Sequence, residues 1–249
     1  MKAAILTDLT RCRGCQACAL ACRESNGLPA SAEATRLDEG TWTFVEKVRG
    51  LNVRRQCMHC EDPACASVCP VGALHKTEAG PVVYDAAKCM GCRYCMLGCP
   101  FGGPTFEWNS PAPRVRKCLM CYETRLMVGR QPACTEACPA GATIFGDRDE
   151  LVAEARRRIE AEPGRYVDRI YGLQEAGGTS VLYLSPVPFE ELGFRNVRTD
   201  PYSKLTWEVL SKLPTIVSVG GVMMFGIYWI VNRRQEVADA EASSSAREE

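Results

Sequence analysis

The chain has 249 residues, room for one large domain or two small ones, and apolar side chains make up 46% of it, enough for a core. Lysine plus arginine and aspartate plus glutamate stand at 30 each, which excludes the basic footprint of a nucleic-acid binder. Sixteen cysteines are the departure from ordinary composition; disulfides, structural zinc and iron–sulfur clusters are the chemistries that use so many.

The first element is a short apolar strand, Ala3–Asp8, with Cys12 four residues beyond it. No cleavage region follows it, so it does not read as a secretory signal, and the chain either stays in the cytoplasm or is exported with a partner. Residues 41–48 form a second strand candidate. Residues 73–75 and 82–84 flank Thr77-Glu78-Ala79-Gly80 and predict a β-hairpin. Residues 147–161 predict a helix: Asp147 and Glu150 have capping-box spacing, and Leu151, Val152, Ala155 and Ile159 share one face. Arg156-Arg157-Arg158 reads as a solvated face near the helix C-terminus, where positive charge is favourable. Between residues 164 and 201 regular signals are few; Gly177-Gly178 reads as a turn and Val181–Leu184 as a short strand or extended run.

Residues 214–231 form an apolar run of 18 residues without a charge, closed by Arg233-Arg234. A bilayer needs roughly 20 such residues and at least about 17. Trp207, Tyr228 and Trp229 suit the interfaces. Ser218, Gly220, Gly221 and Gly226 would let another membrane helix approach closely.

The cysteines fall into four groups of four: Cys12, Cys15, Cys18 and Cys22; Cys57, Cys60, Cys65 and Cys69; Cys89, Cys92, Cys95 and Cys99; Cys118, Cys121, Cys134 and Cys138. Groups one and three are uninterrupted CxxCxxCxxxC runs, each preceded by a strand candidate ending in aspartate (Asp8, Asp85). Groups two and four share a CxxC, a spacer and CxxxC-Pro, then Val71-Gly72-Ala73 or Ala140-Gly141-Ala142. The chain therefore reads as two copies of a two-part unit. Three-residue spacing lets one tight loop aim three thiolates at a cubane, while the fourth crosses to a neighbouring cluster. Pro70, Pro100 and Pro139 follow the last cysteine of groups two, three and four; Arg23 takes that place in group one. Group four alone could be a zinc ribbon, and the company of the other groups argues for iron.

Crossing over pairs the groups either one-with-two and three-with-four, or two-with-three and one-with-four. The short hairpin linker between groups two and three favours the second pairing. One cluster then takes Cys57, Cys60, Cys65 and Cys99, and its neighbour Cys89, Cys92, Cys95 and Cys69. The outer pair takes Cys12, Cys15, Cys18 with Cys138, and Cys118, Cys121, Cys134 with Cys22. Each oxidised cubane with four thiolates carries about −2, so four bring a formally neutral chain to about −8. Arg11, Arg13, Arg54, Arg55, Lys88, Arg93 and Lys117 interleave with the cysteines, as partial offset or as ordinary surface charge. His59 reads as structural or surface, although its place beside Cys60 would let it tune a cluster; His75 reads as surface. All sixteen cysteines are used as ligands, and there is no phosphate loop, CxxCH haem site or Rossmann fingerprint. No catalytic residue is assigned.

The runs Gln56-Cys57-Met58-His59-Cys60-Glu61-Asp62-Pro63, Cys89-Met90-Gly91-Cys92-Arg93-Tyr94-Cys95-Met96, Cys138-Pro139-Ala140-Gly141-Ala142 and Gly177-Gly178-Thr179-Ser180 resemble the four-cluster iron–sulfur subunits of respiratory complexes. The resemblance is to the beta subunit of membrane-bound formate dehydrogenase and the iron–sulfur subunit of membrane-bound [NiFe] hydrogenase. It implies an α+β, tandem (double) two-cluster ferredoxin-like domain with four [4Fe–4S] clusters. It implies a catalytic molybdenum, tungsten or [NiFe] partner, a cytochrome b-type or other quinone-reactive membrane subunit, and a cluster domain on the periplasmic face of the cytoplasmic membrane. The hydrogenase type usually carries its own export signal, so the expectation leans to formate dehydrogenase, with a hydrogenase relay and a zinc-stabilised membrane adaptor as alternatives. The expected organisation is a double ferredoxin-like domain over 1–163, an extended covering segment over 164–206, a single transmembrane anchor over 207–234 and a disordered polar tail over 235–249.

Overall fold

The computed structural model describes residues 1–29 and 34–248. In chain order the elements are β1 (Ala3–Asp8), α1 (Ala17–Ser25), β2 (Thr43–Val48), β3 (Leu51–Gln56), α2 (Ala64–Ser67), β4 (Leu74–Lys76), β5 (Val82–Tyr84), α3 (Tyr94–Gly98), β6 (Thr105–Phe106), β7 (Val115–Arg116), α4 (Ala133–Glu136), β8 (Thr143–Asp147), α5 (Arg148–Ala161), β9 (Val181–Leu184), α6 (Tyr202–Leu210) and α7 (Leu213–Glu248). They divide into a unit over residues 1–203 and a helical unit over 204–249.

In the first unit β1 is the middle strand of a three-stranded sheet, ordered β8-β1-β9. It runs antiparallel to β8, with Ala3 opposite Asp147 and Thr7 opposite Thr143. It runs parallel to β9, with Ile5 opposite Val181. Every residue of β1 is buried, and alternation sends them to two faces. Ala4 and Leu6 pack with Leu151, Val152, Ala155, Leu182 and Leu184 beneath α5. Ala3 and Ile5 pack on the other face with Cys18, Met58, Cys60, Met120, Cys134, Tyr171 and Tyr183. The sheet thus has a helix on one side and the cysteine loops on the other. Three two-stranded ribbons, β2-β3, β4-β5 and β6-β7, complete the unit.

The strand at 41–48 and the hairpin at 73–84 form as expected; β3, the partner of β2, carries no clear sequence signal. The predicted cap of α5 is half present: Asp147 accepts from the Asp149 N–H, while its second oxygen accepts from the Lys2 N–H at 2.8 Å. The Arg156–Arg158 reading needs correction at one position. Arg158 is buried and donates to Asp8 Oδ2 at 3.2 Å and Glu154 Oε1 at 2.7 Å. Asp8 is fully buried and also accepts from Tyr166 Oη at 2.9 Å and Thr10 Oγ1 at 2.6 Å. Burial of that carboxylate demands a cation, which turns Arg158 inward while Arg157 pairs with Glu154 outside.

Residues 164–201 contribute more than a cover, because β9 is a sheet strand. Tyr171, Tyr183, Phe189 and Phe194 form an aromatic cluster with ring centroids 4.8 to 6.5 Å apart, and Arg55 of β3 lies 4.5 Å over the Phe194 ring. The second unit is helical. Pro214 sits in the first turn of α7, where a missing N–H is harmless. The stretch from Tyr202 to Glu241 is long and apolar enough to cross a membrane, with a mean hydropathy of 1.7 in its most apolar window. Val222, Met224 and Phe225 are each about 70% exposed. α7 continues through 235–248, the stretch whose composition reads as a polar tail.

Asp8→Asn tests the buried ionic centre. It removes one of two carboxylates from Arg158, so the expected loss is about 3 kcal/mol, the low end for a broken buried pair. That corresponds to roughly 6–12 °C in thermal midpoint for a domain of this size. An unchanged midpoint in anaerobic calorimetry would contradict the assignment.

Candidate functional site

Each cysteine group is a tight loop bent by a left-handed residue immediately before its second cysteine. Gly14 (φ +72°) and Gly91 (φ +77°) take this place in groups one and three, where the lack of a Cβ makes it costless. In groups two and four the same place falls to His59 (φ +49°) and Met120 (φ +55°). A non-glycine residue there costs about 1–2 kcal/mol. Gln16 and Arg93, just after the second cysteine of groups one and three, are also left-handed and start α1 and α3. Left-handed and right-handed residues in alternation turn successive backbone N–H groups inward and make an anion-binding concavity. Several of those N–H groups reach sulfur. Ala73 N donates to Cys69 Sγ, Gly103 N to Cys99 Sγ and Met120 N to Cys118 Sγ, each at 3.3 Å. At Gly103 a Cβ would stand 3.2 Å from Cys57 Sγ, so the backbone itself closes on that sulfur.

None of the sixteen thiols is in a disulfide. Cys12, Cys15, Cys18 and Cys138 line one cavity, with Arg54, Val45 and Ala142. Cys69, Cys89, Cys92 and Cys95 line another, with Ala73, Leu74 and Tyr84. Both cavities draw on two sequence groups. Burial pushes the Cys22 thiol well up, and Cys118, Cys134 and Cys121 push it further. Burial likewise raises Cys60, reinforced by Cys57, Cys99 and Cys65. Cys69 is the exception: burial raises it, but the N–H groups of Leu74, Val71, Ala73 and Gly72 outweigh that and leave it lowered.

Four thiols facing one cavity repel one another once ionised, so the donor set requires a polycationic guest. A single tetrahedral ion would draw its sulfurs to about 2.3 Å. Among the described residues no three His, Cys, Asp or Glu side chains converge in that way. The sulfurs of two sets stand instead around cavities, and the donor set fits a cluster rather than one zinc.

The cations separate into two kinds. Arg11, Arg13, Lys88 and Arg93 are exposed, as surface charge would be. Arg54 and Lys117 are 1% and 2% exposed and correct that reading for themselves. Lys117 Nζ donates to the carbonyls of Val82 (2.5 Å) and Cys118 (2.6 Å). Burial pushes the Cys65 and Cys118 thiols up to about 12, with Lys117 opposing it in both. His59 is structural: Val82 N–H donates to its Nδ1 at 2.9 Å, pinning β5 to the group-two loop. Burial first, then Lys117 and Lys76, hold its pKa well below the usual histidine range. His75 is exposed.

The Gly177-Gly178-Thr179-Ser180 run fastens the same loop. Glu61 N–H donates to Gly178 O at 2.9 Å, Ser180 N–H to His59 O at 3.0 Å, and Ser180 Oγ to Glu61 Oε1 at 2.8 Å. Asn26 was invisible as a sulfur neighbour in the sequence; its Nδ2 lies 3.7 Å from Cys22 Sγ. An asparagine one turn past a cysteine on a helix is too common a pattern to single out.

Known proteins are similar to this chain in sequence. The family model for a 4Fe-4S dicluster domain matches residues 48–148. The chain is 38% identical over 237 residues to the hydrogenase-2 operon protein HybA of Escherichia coli, covering 76% of this chain and 71% of that protein. It is 41% identical over 152 residues to the B component of the anaerobic dimethyl sulfoxide reductase of Escherichia coli, covering 58% and 73%. It is 31% identical over 242 residues to the formate dehydrogenase iron-sulfur subunit of Haemophilus influenzae, covering 88% and 77%. The cofactors are [4Fe–4S] clusters, four by the count of sixteen thiols, and the chain carries electrons rather than transforming a substrate. It belongs to the family of iron–sulfur electron-transfer subunits of respiratory oxidoreductase complexes.

Proposed function

We propose that the chain conducts electrons along four [4Fe–4S] clusters between a catalytic oxidoreductase subunit and a quinone-reactive membrane subunit. The ligand sets are Cys12, Cys15, Cys18 and Cys138; Cys22, Cys118, Cys121 and Cys134; Cys57, Cys60, Cys65 and Cys99; and Cys69, Cys89, Cys92 and Cys95. The two group pairs form the tandem ferredoxin-like arrangement. Bound there, the clusters supply one-electron oxidation and reduction, at potentials that proteins set between about −700 and +450 mV.

The observation that carries this reading is the order and burial of the sulfur sets. Cys18 and Cys134 belong to one packed core cluster, Cys22 and Cys118 to another with Cys57, and Cys65 to a third with Cys69, Cys89 and Cys95. This packing supports the order just given. All four cysteines of the second set are buried, as are Cys57, Cys60 and Cys65 of the third. Cys15 and Cys92, in the first and last sets, are the exposed ones. The middle is insulated from solvent oxidants and the ends are open to partners.

The apolar stretch over 207–234 is the anchor, and the small residues Ser218, Gly220, Gly221 and Gly226 of α7 suit contact with a partner helix. We place the cluster unit on the outer face of the cytoplasmic membrane, as in the anchored proteins it resembles. The stronger likeness to the hydrogenase-2 operon protein than to the formate dehydrogenase subunit supports a hydrogen-oxidising catalytic partner as the first to assay. Formate is the second.

The test is anaerobic isolation of the membrane complex. It should hold at least about sixteen iron and sixteen acid-labile sulfide per copy of this chain, partners adding their own, and reduce quinone with hydrogen or formate; zinc without sulfide would defeat the reading. Crossing over is read separately. Cys69→Ala and Cys92→Ala should disturb the same paramagnetic signal, and Cys65→Ala a different one; a shared signal for Cys65 and Cys69 would refute the ligand sets. Deleting residues 204–249 should move the cluster unit from the membrane to the soluble fraction, and its retention on washed membranes would dismiss the anchor.

A further inference from the structure

Arg54 stands on β3, opposite Val45 of β2. Its side chain is enclosed, with 1% of the residue exposed. Nε donates to Thr43 Oγ1 at 3.1 Å. Neither Nη1 nor Nη2 has a hydrogen-bond partner among the described residues. Orphaned donors on a buried cation are rare in native proteins and point to an acceptor that belongs there.

Its surroundings say which acceptor. Arg54 lines the cavity of Cys12, Cys15, Cys18 and Cys138. Burial works against its charge, and Cys134, Cys18, Tyr183 and Cys118 overcome that and hold its pKa above the usual arginine range. These cysteines belong to the first and second sulfur sets, so one guanidinium serves both. A planar guanidinium has donors on more than one edge and suits this. Lys117 is the useful contrast: it is equally buried, but its ammonium is taken up by two carbonyls.

We propose that Arg54 is a shared N–H donor and counter-charge for the two [4Fe–4S] clusters held by Cys12, Cys15, Cys18 and Cys138 and by Cys22, Cys118, Cys121 and Cys134, and that it raises the potentials of this pair relative to the other two. Each one-electron reduction adds a negative charge to a cluster, and a fixed cation with N–H groups facing sulfur favours the more negative state. Arg54 is a positioning and tuning residue, not a ligand. The inference rests on the ligand sets proposed above.

The experiment is a redox titration followed by low-temperature paramagnetic resonance on the intact complex, with Arg54→Gln and Arg54→Lys beside the unaltered chain. The two clusters concerned are identified by the signals altered in Cys15→Ser and Cys121→Ser. Arg54→Gln should make reduction of both about tenfold less favourable, a downward shift of about 59 mV for one electron, with the other two unmoved. Arg54→Lys, which keeps a charge but presents fewer donors, should move the same pair by less. Four loaded clusters at unaltered potentials, or equal shifts on all four, would overturn the proposal. If Arg54→Gln loses iron, Arg54→Lys decides: a shift confined to the pair supports the role and unaltered potentials overturn it. Too little iron and sulfide in the unaltered complex would instead defeat the cluster reading itself.

Discussion

Sixteen thiols crowded beside one another, nine of them buried, are the constraint from which the rest of this structure follows. Ionised, they repel, and burial already drives several of them toward the neutral thiol, Cys22 and Cys60 most strongly. Iron supplies most of the missing positive charge, and the polypeptide supplies the remainder in small increments. Those increments are backbone N–H groups turned inward by left-handed residues, the N–H contacts to Cys69, Cys99 and Cys118, and two buried cations, Arg54 and Lys117. His59 and Met120 accept an unfavourable backbone conformation for this purpose. Strain of about 1–3 kcal/mol per residue survives where the surroundings over-determine it, and here the cysteines on either side do so.

The scaffold serves to hold loops that cannot hold themselves. α2 and α4 are four residues long and α3 is five, too short for stable helices on their own. Their order comes from the central sheet and from crossing connections. In the proposed ligand sets each cluster draws on two sequence groups, so loading it would tie distant segments together. Cys138, just ahead of β8, would join the loop that follows β1, and Cys22 of α1 would join Cys118, Cys121 and Cys134. Folding and cluster assembly are linked on that reading. The segment carrying β9 belongs to the same logic: Thr179 and Ser180 clamp the group-two loop while Val181–Leu184 completes the sheet.

Much of the site was legible because metal spacing is written locally. Two residues between cysteines, proline after the last one in groups two, three and four and the repeated Gly72 and Gly141 turns are short-range signals; the proposed crossed grouping rests on the length of one hairpin. What escaped were residues whose role depends on distant partners. Arg158 lies in a run of three arginines, and only the buried Asp8, 150 residues away, distinguishes it. Arg54 and Arg55 are identical in sequence terms, yet strand alternation sends one inward to sulfur and the other toward Glu46 and Phe194. β3 was missed because Asn52, Arg54 and Arg55 mask its alternation. β9 forms where a short strand or extended run was expected, but its place in the sheet comes from β1, far away in the chain.

The most direct measurement is an iron anomalous-scattering map of the assembled complex. The account predicts four cubane densities in a row, each touched by three sulfurs of one sequence group and one of another, with Cys15 and Cys92 at opposite ends. Four clusters each held within a single group, or isolated single-ion peaks between the CxxC pairs, would contradict it.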